Sequence, residues 1–275
     1  MGLDINTNLA SLQAADNLSN SQNMLATSMN RLSSGYRINS AADDASGLAI
    51  STSMDMQVQS YTVAARNAND AISMAQTADG ALGSVSDILG TMQTLATEGA
   101  NGAISTSDRS YLQTEFSQLQ AEISNILTSS KYNGIQVVQS AAKTVDFQTG
   151  ITSAATDRIA VTFGGVSLAT LVGNTITLSS TATNSQKAMG AIANALNTIS
   201  TSRAKFGAAI NRFDVVVSNL QTASLNTSAA ESRIKDVDVA AETANLSREQ
   251  VLIQAGASVL AQANQVPQVA LKLLQ

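Results

Sequence analysis

Across 275 residues this chain has no cysteine and no histidine, a single proline, only 3% aromatic and only 13% charged residues. Without cysteine, neither a disulfide framework nor a thiolate metal site can form. Without histidine, the commonest general base and the commonest metal ligand are both missing. These absences argue against catalysis, and no catalytic, cofactor-binding or metal residue is assigned. An ordinary globular protein carries about 25% charged residues. Here Ser, Thr, Asn, Gln and Ala replace them, giving neutral polar surfaces that can pack against copies of themselves without desolvating many ions. The net charge is −5 and the pI about 4.7. With no basic run, nucleic acid is excluded as a partner. No stretch approaches the roughly 18 uninterrupted apolar residues of a membrane span, so no membrane insertion is expected. The start is read as lacking a cleavable secretory signal, because no basic segment precedes an apolar one. Asn6 stands where a myristoylation motif needs Ser or Thr.

What is present is apolar periodicity. Apolar residues make up 44% of the chain, enough for a sizeable core, and they recur in sevens. Near the N-terminus Ile5 and Leu12 lie seven apart, with Leu9 between them, and Leu18, Leu25 and Leu32 repeat the step with Met29 between the last two. Near the C-terminus Leu252, Val259, Val266 and Leu273 form one row, and Leu246, Ile253 and Leu260 a second, one residue out of phase. A sustained seven-residue repeat marks a helix that needs a partner helix. Chain ends fray unless tied down, so amphipathic helices at both ends predict pairing with each other or with other molecules, and hence assembly. Met54, Tyr61, Ala68, Ala75, Leu82, Leu89 and Ala96 predict a long helix, flanked by Val58, Ala65 and Ile72. Asp43 and Asp44 precede it as capping carboxylates, and Gly99–Gly102 end it. Gly80, Gly83 and Gly90 predict the close approach of another backbone, since each costs about 1 kcal/mol against Ala in a helix.

A shorter helix carries Leu112, Phe116, Leu119, Ile123 and Ile126, and Asn133-Gly134 is the strongest turn signal in the chain. The period then changes to two, through Ile159, Val161 and Phe163 and again at Ile176 and Leu178, predicting β-hairpins. Met189, Ile192, Leu196, Ile199, Arg203, Phe206, Ile210, Phe213, Val217 and Leu220 predict a coiled-coil seam. Arg203 in it is either a snorkelling side chain or a register-setting polar residue. Pro267, inside an apolar helix, is expected to kink it. The fold class is therefore mainly α: a long antiparallel helical coiled-coil rod with a small β-hairpin insert and paired terminal helices. Asp43-Asp44 is read as capping and not as an acid–base pair. Glu231, Asp236, Asp238 and Glu242 lack the Gly and the spacing of a calcium loop. The three Asn-x-Ser/Thr triplets, at Asn17, Asn226 and Asn245, are treated as chance matches.

The run Leu32-Ser33-Ser34-Gly35-Tyr36-Arg37-Ile38-Asn39-Ser40-Ala41-Ala42-Asp43-Asp44-Ala45-Ser46-Gly47 closely resembles the N-terminal signature of bacterial flagellins. Ala65-Arg66-Asn67-Ala68-Asn69-Asp70 and Lys131-Tyr132-Asn133-Gly134 extend the match. Ala241 to Ser247 and Val259 to Gln268 look like the C-terminal signature. The resemblance covers about 3–135 and 185–275, leaving 140–180 unmatched. It implies a structural subunit of an extracellular flagellar filament used for motility, the alternative being a flagellin-like hook-filament junction protein. It implies an N-terminal half (1–42) and a C-terminal half (235–275) of a filament-core domain. Around these come the N-terminal part (43–180, with the hairpins) and the C-terminal part (181–234) of a helical shell domain. Implied partners are further copies of the chain, an export chaperone, and hook-junction and cap proteins, with export by the flagellar type III route. Ile5, Leu9, Leu12, Leu18, Leu25, Leu32, Leu246, Leu252, Ile253, Val259, Leu260, Val266 and Leu273 are the expected self-assembly residues. Many flagellins are also read by a Toll-like receptor through a Gln-Arg pair and a Leu on the long shell helix and a Glu on the next. Leu95 and Glu115 stand at the matching positions here, but Gly90-Thr91 replace the Gln-Arg pair.

Overall fold

The structure is a computed structural model and describes residues 7–166, 176–178 and 181–273, with side chains described as far as 265. Five long helices carry the chain: α1 (Leu9–Ser34), α2 (Ala45–Gly99), α3 (Thr106–Ser129), α4 (Ala182–Lys235) and α5 (Val239–Leu273). Between α3 and α4 the described residues form four strands, β1 (Lys131–Tyr132), β2 (Ile135–Gln136), β3 (Lys143–Gln148) and β4 (Arg158–Phe163), and a 3-10 turn at Ala155–Asp157. Contacts divide the chain into two units, Met1–Met56 with Asn226–Gln275, and Gln57–Leu225. Both divisions fall inside uninterrupted helices, α2 and α4. The units are therefore set by what the helices touch and not by where they end.

In the unit Gln57–Leu225 the predicted rows are half right. Ala68, Ala75, Leu82, Leu89 and Ala96 on α2 have no exposed surface, and Ile192, Ile199, Phe206, Phe213 and Leu220 on α4 are also buried. The companion rows are not the expected ones. On α2 the second buried row is Ala64, Ala71, Ala78, Val85 and Met92, while Val58, Ala65 and Ile72 are only partly covered. On α4 it begins with Ala188 and Ala195, and Leu196 is 39% exposed. Alanine in the second row lets two helix axes approach closely, and the larger neighbours then lap over the edges of the seam. The helices run antiparallel: Arg203 on α4 reaches Asp79 on α2, and Ser185 lies against Gly99.

Arg203 is accordingly neither buried nor in the seam. Its Nε donates to the Asp79 carboxylate at 2.8 Å, with the two side chains 44% and 36% exposed. That pairing holds the guanidinium above its usual pKa, chiefly through the hydrogen bond and secondly through the charge of Asp79. An exposed pair of this kind contributes about 0–1 kcal/mol. The close backbone approach expected at Gly80, Gly83 and Gly90 is also absent: among the described residues nothing stands within 4 Å of where a Cβ would be.

Of the two carboxylates expected to cap α2, only that of Asp44 does so; that of Asp43 bonds back to the preceding loop. Asp44 caps α2 by accepting from the Gly47 N–H at 2.8 Å. The Asp43 carboxylate accepts from the Ser40 N–H and hydroxyl, both at 2.9 Å, and from the Asn39 N–H. These bonds, Ser40's first, hold its pKa below the usual carboxylate value. Asn133 and Gly134 both have positive φ, 45° and 78°, as a type I′ turn requires, and they join β1 to β2. On β4 Ile159, Val161 and Phe163 face inward, and β4 pairs antiparallel with β3. This hairpin docks on α4 through aromatic rings. Phe147 meets Phe213 edge-on at 5.6 Å, and Phe163 stacks on Phe206 at 5.4 Å. Asn67 of α2 ties down the end of β3 by donating to the Gln148 carbonyl at 3.0 Å. Residues 176–178, expected as a strand, are not in a sheet. Two glutamines seven apart on α3 pin them instead: Gln113 accepts from the Leu178 N–H and Gln120 donates to the Ile176 carbonyl. The helix α5 runs through Pro267. No described helix is long and apolar enough to cross a membrane.

Candidate assembly interface

The ends of the chain meet in an antiparallel pair, α1 with α5. At one end Asn8 caps α1 by accepting from the Ser11 N–H, and its own Nδ2 donates to the Ala263 carbonyl at 2.9 Å. The Ser11 hydroxyl lies 2.8 Å from Asn264 Oδ1. Midway, Leu18 packs onto Gly256, where a Cβ would stand 3.4 Å from its Cδ1. At the other end Gly35 takes φ 76° to terminate α1, a conformation that only glycine adopts without strain. The chain then bridges to the α4–α5 junction. Arg37 N–H donates to the Lys235 carbonyl at 2.7 Å, and Val237 N–H to the Gly35 carbonyl at 3.0 Å. The Arg37 guanidinium caps the C-terminus of α4 through the Ile234 carbonyl at 2.7 Å, where a cation also complements the helix dipole. The Lys235 ammonium sits 4.5 Å from the centre of the Tyr36 ring. These contacts at three levels fix one antiparallel register.

That register separates the expected assembly residues into two sets. Leu18, Leu25 and Leu32 on α1 and Leu246, Ile253 and Leu260 on α5 are half-buried in the intrachain pair. The other set points away from it. Leu9 is 67% exposed, Leu12 56%, Leu252 44% and Val259 59%, joined by Met24, Met29 and Val251. The side chains of Ile5, Val266 and Leu273 lie outside the described residues. The two C-terminal rows, one residue out of phase, therefore differ: Leu246, Ile253 and Leu260 close the subunit, and the described members of the other row, Leu252 and Val259, are left open. Periodicity alone missed the polar residues of the seam. Ser21, Ser28, Glu242 and Glu249 are all buried, and Ser21–Ser28 and Glu242–Glu249 are each seven apart. That seven-residue spacing is present in the sequence, but a repeat defined by apolar residues does not register it. Among the described residues, Glu249 Oε2 and Arg31 Nε find no hydrogen-bond partner.

The receptor-type residues are placed on α2 and α3. Gly90, Thr91 and Glu115 are exposed, and the Thr91 hydroxyl donates to the Asp87 carbonyl on its own helix. Leu95, expected beside them on the surface, is only 8% exposed and belongs to the core. Its phase puts it on the inner face next to Met92 and Ala96. No group of three or more carboxylate, Cys or His side chains among the described residues is arranged to hold a metal ion.

One helix from each end of the sequence pairs with the other and leaves Leu9, Leu12, Leu252 and Val259 uncovered, and comparison with known proteins identifies the family. Residues 5–143 match the bacterial flagellin N-terminal helical region, and residues 189–274 match the bacterial flagellin C-terminal helical region. The chain belongs to the bacterial flagellin family. It is 40% identical to a flagellin of Halalkalibacterium halodurans over 98% of this chain and 99% of that one. It is 34% identical to a flagellin of Listeria monocytogenes over 99% of each chain. The flagellar filament 33 kDa core protein of Treponema phagedenis is 35% identical over 98% of this chain and 99% of its own length. The solved structure of Bacillus cereus flagellin shares 31% identity, covers 60% of this chain and 94% of that one, and superposes with a TM-score of 0.49. The family is structural and not enzymatic, so the chain is a subunit of the flagellar filament, an extracellular homopolymer.

Proposed function

We propose that this subunit polymerises head-to-tail through its α1–α5 pair, with 1–42 and 235–275 forming the filament core and 43–234 the surrounding shell. The observation that carries this reading is the open row of Leu9, Leu12, Leu252 and Val259, each 44% exposed or more. A heterologous interface that does not close on itself generates an open helix of subunits. Two helices have no third layer of their own to cover their outer faces. A large share of α1 is Ser, Thr and Asn, mediocre helix formers, so packing must supply much of its helicity. Ordering each residue costs about 1–2 kcal/mol, and neighbouring copies provide the burial that offsets it. Purified protein, seeded with filament fragments, should grow long homopolymers visible by electron microscopy. A hook-filament junction protein would give only short or closed assemblies. In the verified monomer, amides of α1 and of α5 up to residue 265 should exchange much faster than those of the buried helices in Gln57–Leu225, and equal protection would contradict the reading that neighbouring copies complete the burial of the pair.

The subunit leaves the cell, in this reading, unfolded through the flagellar type III route, handled by an export chaperone and received by hook-junction and cap proteins. Absence of cysteine suits threading, because no disulfide can form early. Secretion should be lost in cells lacking that apparatus, and unaltered secretion would count against the route.

The exposed Thr91 carries the reading of weak Toll-like receptor activation. Arg is the residue type most often dominant at interfaces, and losing such an anchor costs about 2 kcal/mol, about thirtyfold in affinity. Thr91→Arg with Gly90→Gln should recover part of that factor in a receptor-reporter assay on monomeric protein. Among the described residues nothing stands within 4 Å of a Cβ at Gly90, so they leave room for the change. Full potency of the unmodified chain would show that the Gln-Arg pair is dispensable.

A further inference from the structure

With neither cysteine nor tryptophan in the chain, its eight methionines are the most readily oxidised side chains. The fold sorts them sharply. Met74 and Met92 are sealed in a core at 2% and 0% exposure, whereas Met24 and Met29 on α1 stand 50% and 55% exposed, and Met56 on α2 57%. Met24 and Met29 share α1 with the outward Leu9 and Leu12 and lie off the row that pairs with α5. Their chemistry can therefore change without breaking the intrachain pair. We propose that Met24 and Met29 form an oxidation-sensitive modification site that gates polymerisation, open to a peroxide in the free subunit and covered by neighbouring copies in the filament. This inference rests on the assembly reading above.

The step takes one equivalent of hydrogen peroxide. A thioether sulfur lone pair attacks one peroxide oxygen, the O–O bond breaks, and a proton moves from the attacked oxygen to the departing one. The products are a sulfoxide, with sulfur oxidised by two electrons, and water. The side chain changes from flexible and apolar to polar and chiral. Burying that polar group in an apolar subunit contact without a hydrogen-bond donor is unfavourable. Two such groups on one helix should raise the concentration needed for filament growth by roughly tenfold or more. Methionine sulfoxide reductase chemistry would restore growth, since the modification is reversible.

The experiment uses the full chain as monomer, treated with hydrogen peroxide, freed of oxidant, mapped by peptide mass spectrometry and then seeded. The expected result is sulfoxide at Met24, Met29 and Met56 but not at Met74 or Met92, unchanged helicity, and at least tenfold weaker polymerisation. The Met24→Leu/Met29→Leu variant, apolar and of similar volume, should polymerise after the same treatment even though Met56 is oxidised. Polymerisation of treated wild type at normal concentration with both sulfoxides present overturns the proposal, and so does equal loss in the treated double variant. A second measurement does not depend on the variant assembling. Oxidation of Met24 and Met29 should be at least tenfold slower in untreated wild-type filaments than in monomer, and equal rates overturn the proposal. Failure of the untreated wild type to polymerise would instead refute the assembly reading itself.

Discussion

Val259→Asp should abolish filament growth while leaving the subunit folded. Val259 is 59% exposed, so in the monomer the new carboxylate stays in water at almost no cost. In the filament the same position is covered by a neighbour, and an unpaired polar or charged group buried there costs several kcal/mol. Even about 3 kcal/mol raises the critical concentration by on the order of a hundredfold. Leu260→Asp, one residue on, should behave differently, because Leu260 is half-buried toward α1. It should loosen the terminal pair within the monomer as well as block growth. Deleting 239–275 removes α5 altogether and should give a soluble protein that never polymerises, with the unit Gln57–Leu225 still melting cooperatively. Electron microscopy after seeding, together with circular dichroism of the monomers, separates the three. Normal filaments from Val259→Asp would show that the outward row is not an intersubunit contact.

Phe213→Ala should be the most damaging single change in the unit Gln57–Leu225. The ring has no exposed surface and meets Phe147 edge-on at 5.6 Å. Phe147 in turn lies 6.4 Å from Phe163, which stacks on Phe206. Truncating a buried Phe to Ala costs about 3–5 kcal/mol through lost transfer energy and the cavity left behind. The edge-to-face contact adds about 0.5–1.5 kcal/mol beyond its buried area. For a unit of this size that lowers the melting temperature by about 10 °C. Leu225→Ala, at a position 71% exposed, should leave it nearly unchanged. A loss below about 1 kcal/mol for Phe213→Ala would mean that the β3–β4 hairpin is not anchored to α4 by its rings.

What the sequence determined by itself is whatever a few neighbouring residues can dictate. The Asp44 cap, the Gly35 stop, the Asn133-Gly134 turn and the inward alternation of Ile159, Val161 and Phe163 all follow from backbone geometry over a handful of positions. A seven-residue repeat likewise identifies one row on each long helix, as it did for Ala68 to Ala96 and Ile192 to Leu220. The signature segments around Leu32–Gly47 and Val259–Gln268 were enough for the family. The second row of each seam was not legible, because the two positions beside the first are both candidates. Hydrophobicity selects Ile72 and Leu196, but the spacing between two helix axes selects Ala71 and Ala195, and that spacing exists only once the partner is in place. The same reason governs Arg203, whose partner Asp79 is 124 residues away, and residues 176–178, which two glutamines of α3 hold out of a sheet. It also governs the terminal rows: whether Leu246, Ile253 and Leu260 or Leu252 and Val259 face inward depends on the register fixed by Asn8, Gly256 and Arg37. Only the tertiary structure decides that, because the choice is made by distances between segments that the sequence places more than 190 residues apart.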